Sequence, residues 1–121
     1  MHSTPVANEN LPLTGGVLIL STAPDVLLAK RIAHILIEER LAACVQLTPP
    51  VLSIYEWEGE VQGADEIGLI IKTTEQVAQQ AVERLVELHP YDVPEAVVIP
   101  ITGGHDPYLQ WLDQQTQRVT E

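Results

Sequence analysis

"AACVQLTPPVLSIYEWEGEVQGADEIGLIIKT", Ala42 to Thr73, is the stretch on which the fold turns. Its first part, Ala42 to Gly59, carries the strand formers Val45, Leu47, Val51, Ile54 and Tyr55. That extended run is far longer than a typical strand of about 5–6 residues. Pro49-Pro50 lack backbone N–H donors, which predicts a bulge or bend inside the run. "EGEVQGADE", Glu58 to Glu66, reads as a polar turn with two glycines. "IGLIIKT", Ile67 to Thr73, then reads as the returning strand. Its near-continuous apolar run predicts cover on both faces. A long hairpin therefore occupies the middle of the chain.

Toward the N-terminus, "VLILST", Val17 to Thr22, is a short apolar run suited to a buried strand. Asp25 or Thr22 can cap the helix that follows. Ala29, Ile32, Ala33 and Leu36 recur at helical spacing, opposite Lys30, Arg31, His34 and Glu38, and predict a helix ending near Arg40. Residues 1–16 are polar, proline-interrupted and aperiodic, and read as a flexible arm ahead of a domain over 17–121.

Toward the C-terminus, Thr73 and Gln76 have the spacing of a capping box. Val77, Ala78, Ala81, Val82, Leu85 and Val86 form the stripe of a second helix. It must end by Leu88, because Pro90 disfavours helical geometry at His89. "AVVIPI" is a last strand, with Pro100 placing it at a strand end or a sheet edge. A short helix after "GGHDP" would present Tyr108, Leu109, Trp111 and Leu112.

The order strand, helix, strand, strand, helix, strand, helix is the split βαβ pattern of the α+β ferredoxin-like fold, βαββαβ with an extra C-terminal helix. Right-handed crossovers place the first and third strands centrally in an antiparallel sheet. Both helices lie on one face. The other face would need cover from oligomerisation or the terminal helix.

Composition narrows the function classes. The chain has 121 residues, enough for one domain, and 45% are hydrophobic. Phe is absent and aromatics make up 4%, so the core is aliphatic. A net charge of -11 sets the chain against nucleic acid and anionic membranes as partners. One cysteine, Cys44, rules out an intrachain disulfide. No basic-then-apolar leader and no apolar run near about 20 residues is present, which makes the cytoplasm the expected location.

The four histidines and Cys44 form no CxxC, HxH or HExxH spacing. Ser21 and Ser53 lack a GxSxG setting, and no P-loop or dinucleotide fingerprint occurs. No nucleophile–base pair stands out, so catalysis is not expected. Two segments are dense in functional side chains. "YEWEGE", Tyr55 to Glu60, is either an interface or pocket rim, or a structural cluster. "HPYDVPE", His89 to Glu95, is either a helix stop or a site held by Pro90 and Pro94.

Taken together, "STAPD", "LAACVQLTPPVLSIYEWEGE", "IIKTT", "LHPYDVPE", "VIPITGG" and "YLQWL" resemble the CutA family of divalent-cation tolerance proteins in order and spacing. The likeness covers Val17 to Leu112. It implies a tight homotrimer of PII-like architecture, with the long hairpin extending into neighbouring subunits. It also implies an inter-subunit cleft lined by Tyr55, Trp57, Glu58, Lys72, His89, Tyr91 and Glu95. The implied role is non-catalytic tolerance of, or response to, copper and other divalent cations. Copper ligands in some members resemble a Cys directly before "TAPD" and a His-His pair before "PY". Here those positions are Ser21, Leu88 and His89, so only His89 carries over as a ligand to Cu(II) or another divalent cation. The alternatives are a PII-like sensor, with Lys72 contacting a small anionic or aromatic metabolite in the cleft, and a signalling or assembly scaffold.

Overall fold

Gly16–Ala23 form β1, an inner strand of the sheet. The structure is a computed structural model and describes residues 14–117. Val26–Glu38 form α1, with Asp25 as its N-cap, accepting a hydrogen bond from the Leu28 N–H at 2.9 Å. Cys44–Trp57 form β2 and Glu60–Thr74 form β3. Glu75–Leu88 form α2, Val97–Pro100 form β4 and Asp106–Gln115 form α3.

The four strands lie in the order β2-β3-β1-β4, every neighbouring pair antiparallel. β1 and β3 are central, as the crossover rule predicts, and Pro100 ends the edge strand β4. Side chains alternate across the sheet. Ile19, Ala23, Ile67, Leu69 and Ile71 share one face and one core with Ala29, Ile32 and Leu36 of α1 and Ala81 and Leu85 of α2. The second helix ends at Leu88 because His89, before Pro90, is held extended at φ −91 and ψ 139.

The opposite face is covered at one end by α3. Thr74 and Thr116 bond through their hydroxyls at 2.9 Å, and Leu112 is fully buried. A Cβ on Gly16 would meet the Leu112 and Ile101 side chains at 3.5 and 3.3 Å, so glycine lets α3 and the β4 end close over β1. Farther along this face Leu18, Leu20 and Ile70 are only half-buried. The cover predicted on both sides of Ile67–Thr73 is therefore incomplete: Ile67, Leu69 and Ile71 are sealed by helices, while the alternating positions are not.

The hairpin departs from the sequence reading in one respect. Its turn is only Glu58-Gly59, both at positive φ (50 and 82), the two-residue geometry whose twist matches that of the strands. Glu60 to Glu66, predicted as turn, belongs to β3. Polar side chains concealed this, because the distal half of the hairpin has no helix against it and needs no apolar alternation. The predicted bulge is present, where the register shifts between Leu47 and Pro50. There the Thr48 hydroxyl accepts the Gly68 N–H at 2.8 Å and donates to the Pro49 carbonyl at 2.7 Å, standing in for the interrupted ladder.

The cap of α2 also differs. The N-cap is Thr74, without a side-chain capping bond, and the Thr73 hydroxyl instead donates to the Leu41 carbonyl at 2.8 Å. β3 runs through Thr73, which therefore lies one residue before the N-cap and is not the capping-box residue. Of the predicted arm, residues 1–13 lie outside the described residues. Thr14 is tied to the domain, its hydroxyl donating to the Ile101 carbonyl at 2.7 Å.

Candidate functional site

At the far end of β1 three separated segments meet. His89 is 7% exposed, a buried histidine placed by the helix end and by Pro90. Its Nε2 lies 2.8 Å from the Thr22 carbonyl, which can only accept, so Nε2 carries the proton. Nδ1 then accepts the Tyr91 N–H at 3.2 Å. The His89 and Tyr91 rings pack with centroids 4.6 Å apart. The Tyr91 hydroxyl donates to Glu66 Oε2 at 3.0 Å, and the Thr22 hydroxyl reaches the same oxygen at 3.3 Å. Ser21 donates to the Glu95 carbonyl at 2.7 Å and so pins the chain entering β4.

This network forms the floor and one wall of an open groove of about 690 Å³. The other wall is the distal hairpin, through Ser53, Ile54, Tyr55, Trp57 and Gln62. Tyr91, Asp92, Val93 and Glu95 complete it from the segment before β4. Glu66 is 8% exposed, with its charge held by hydroxyl donors. Burial raises the Tyr91 pKa above the ordinary tyrosine value, and the hydrogen bond to Glu66, the Glu66 charge and Tyr55 push it the same way.

Of the residues singled out from sequence, Tyr55, Trp57, Tyr91 and Glu95 line this groove. His89 sits behind it and supports Tyr91. Glu58 occupies the hairpin turn and does not line it. Lys72 is six residues along β3 from Glu66, about 20 Å at strand rise. Its ammonium lies 5.7 Å from the Tyr108 ring of α3. Glu66, Thr22, Gln62 and Asp92 were not anticipated. Stepping by two from Ile70 through Gly68 places Glu66 on the open face, a signal hidden when Glu58–Glu66 is read as a turn.

The donor set fits a soft copper site poorly. Ser21 spends its hydroxyl on Glu95, Leu88 packs on the core, and both His89 nitrogens are engaged within the fold. A cation could take the Nδ1 lone pair only in place of the Tyr91 N–H. Among the described residues, no group of three or more His, Cys, Asp and Glu side chains is arranged to hold a metal ion. Nor is any helix among them long and apolar enough to cross a membrane.

A four-stranded antiparallel sheet with two helices on one face, a third on the other and an overlong hairpin defines a ferredoxin-like α+β domain. The chain belongs to the family described as CutA1 divalent ion tolerance protein, whose model matches residues 17–115. The divalent-cation tolerance protein CutA of Pectobacterium atrosepticum is 45% identical over 102 residues, covering 84% of this chain and 93% of that protein. Its counterpart in Thermus thermophilus is 46% identical over 99 residues, covering 82% and 96%. The crystal structure of CutA from Xylella fastidiosa superimposes with a TM-score of 0.84 at 40% identity, over 85% of this chain and 99% of that one.

Proposed function

We propose that the protein serves divalent-cation tolerance without catalysis, as a homotrimer that binds cations weakly at the groove between its hairpin and the Tyr91–Glu95 segment. The observation that carries this reading is the groove's charge. Glu66, Asp92 and Glu95 line it, and no Lys or Arg is among its lining residues. Family membership supplies the tolerance role, since relatives carry that name. Exposed Leu52 and Val61, outside the groove lining, with the β4 edge, support assembly, because a distal arm with unburied aliphatics gains from a neighbour.

Calorimetric titration with Cu(II) tests the metal part. Weak binding is expected, reduced by Glu95→Gln and largely kept in His89→Ala variants that remain folded. Undetectable binding by the native protein would remove the direct cation role. Tight binding abolished by His89→Ala would place the metal on the imidazole instead. Native mass tests assembly: three times 13.3 kDa is expected, and a monomer mass would overturn the trimer.

A further inference from the structure

The acids of the groove stand beside aromatic rings, and that pairing narrows the ligand. Tyr55 and Trp57 from β2 and Tyr91 from the opposite wall share the space with Glu66, Asp92 and Glu95. An anion would meet three carboxylates and no basic side chain of the lining. A neutral apolar molecule would leave buried Glu66 without a counter-charge. A bare divalent ion needs about six or more oxygen donors converging at close range. The groove offers no such cluster among the described residues, so it holds a bare divalent ion only weakly, and its volume of about 690 Å³ far exceeds an ion's need. Small-molecule pockets run from roughly 300 to 1,000 Å³. Aromatic faces attract alkylated ammonium groups, which are also weakly hydrated and so lose little on leaving water.

We infer that the groove takes a small organic cation, an alkylammonium or quaternary ammonium group. Glu66, Asp92 and Glu95 balance its charge, while Tyr55, Trp57 and Tyr91 cover its methyl or methylene surface. The inference rests on reading the groove as a ligand site and adds the chemical class. The Thr22 and Tyr91 hydroxyls already hold the Glu66 carboxylate, so no reorganisation is needed when the cation arrives.

The test uses the full chain carrying Trp111→Phe, which leaves Trp57 as the single tryptophan reporter. Its fluorescence is followed against tetramethylammonium chloride, against the uncharged and similarly sized neopentyl alcohol, and against sodium chloride at matched ionic strength. Saturation by tetramethylammonium is expected at about tenfold lower concentration than by the alcohol. Asp92→Asn and Glu95→Gln, both on the exposed segment before β4, should each weaken tetramethylammonium and leave the alcohol unchanged. Equal affinity for alcohol and ammonium overturns the charge selectivity but leaves the groove a ligand site. A response to tetramethylammonium no different from sodium chloride, with none to the alcohol, overturns both.

Discussion

Tyr91 and Glu66, 25 residues apart in sequence, meet through a 3.0 Å hydrogen bond that joins the segment after α2 to the middle of β3. Tyr91→Phe removes that donor and leaves Glu66 Oε2 with the Thr22 hydroxyl alone. The expected loss is about 1 kcal/mol, modest because the tyrosine is partly exposed. Urea denaturation checks it through a lower midpoint at unchanged slope. An unchanged midpoint would mean the bond contributes nothing net.

The same contact sets a pH dependence. The Tyr91 pKa is raised in the folded protein, chiefly by burial and then by Glu66. Its contribution to stability is therefore complete below the ordinary tyrosine value of 10.0 and is lost as pH rises from there through the higher folded value. Tyrosinate absorbance, native minus Tyr91→Phe, should show a component titrating above 10.0. A component at or below that value would contradict the assignment.

Gly68 and Thr48 form a coupled pair at the bulge. A Cβ on Gly68 would lie 2.8 Å from the Thr48 hydroxyl oxygen and 3.0 Å from its methyl carbon. Gly68→Ala should cost about 1–3 kcal/mol through forced displacement of Thr48. Thr48→Ala removes both clashing atoms, so the double variant should lose less than the sum of the single losses. Strict additivity in a double-mutant cycle would sink the argument.

The hairpin turn offers a gain. Glu58 adopts φ 50, where an ordinary side chain is strained and asparagine is tolerated. Glu58→Asn should stabilise by about 0.5–1 kcal/mol, and Gly59→Ala at φ 82 should destabilise by about 1 kcal/mol. Thermal midpoints moving in opposite directions would support the turn geometry. Two shifts of the same sign would not.

Leu85 of α2 is fully buried in the core that α2 shares with α1 and the sheet. Leu85→Ala should cost about 2–5 kcal/mol, because the missing side chain leaves a cavity the aliphatic core only partly fills. A loss well under 2 kcal/mol by urea denaturation would indicate a core that collapses around the gap.

Much of the fold could be read because apolar periodicity was strong where helices pack. Ile32 and Leu36, Ala81 and Leu85, and Ile19 opposite Ile71 lie in the core their spacing predicts. The distal hairpin was harder, since without a helix above it Glu60–Glu66 carries no apolar pattern. The site was half-visible for the same reason. Tyr55, Trp57, Tyr91 and Glu95 announced themselves through aromatic and proline context, and all line the groove. Glu66 did not, because a strand acid gains meaning only once Thr22 and Tyr91 are folded onto it. Lys72 was grouped with them by family likeness for a cleft between subunits; within one chain its ammonium lies 5.7 Å from the Tyr108 ring.

The bonds that build the groove floor span 67 residues from His89 to Thr22, 74 from Ser21 to Glu95 and 44 from Thr22 to Glu66. Contacts of such separation carry a loop-closure cost that is repaid only when β1, the hairpin and the Tyr91 segment are all in place. The groove is thus a certificate of completion: a chain with β1, the hairpin or the Tyr91 segment out of place does not possess it. Anything that binds there selects finished molecules and, by mass action, protects them from reopening.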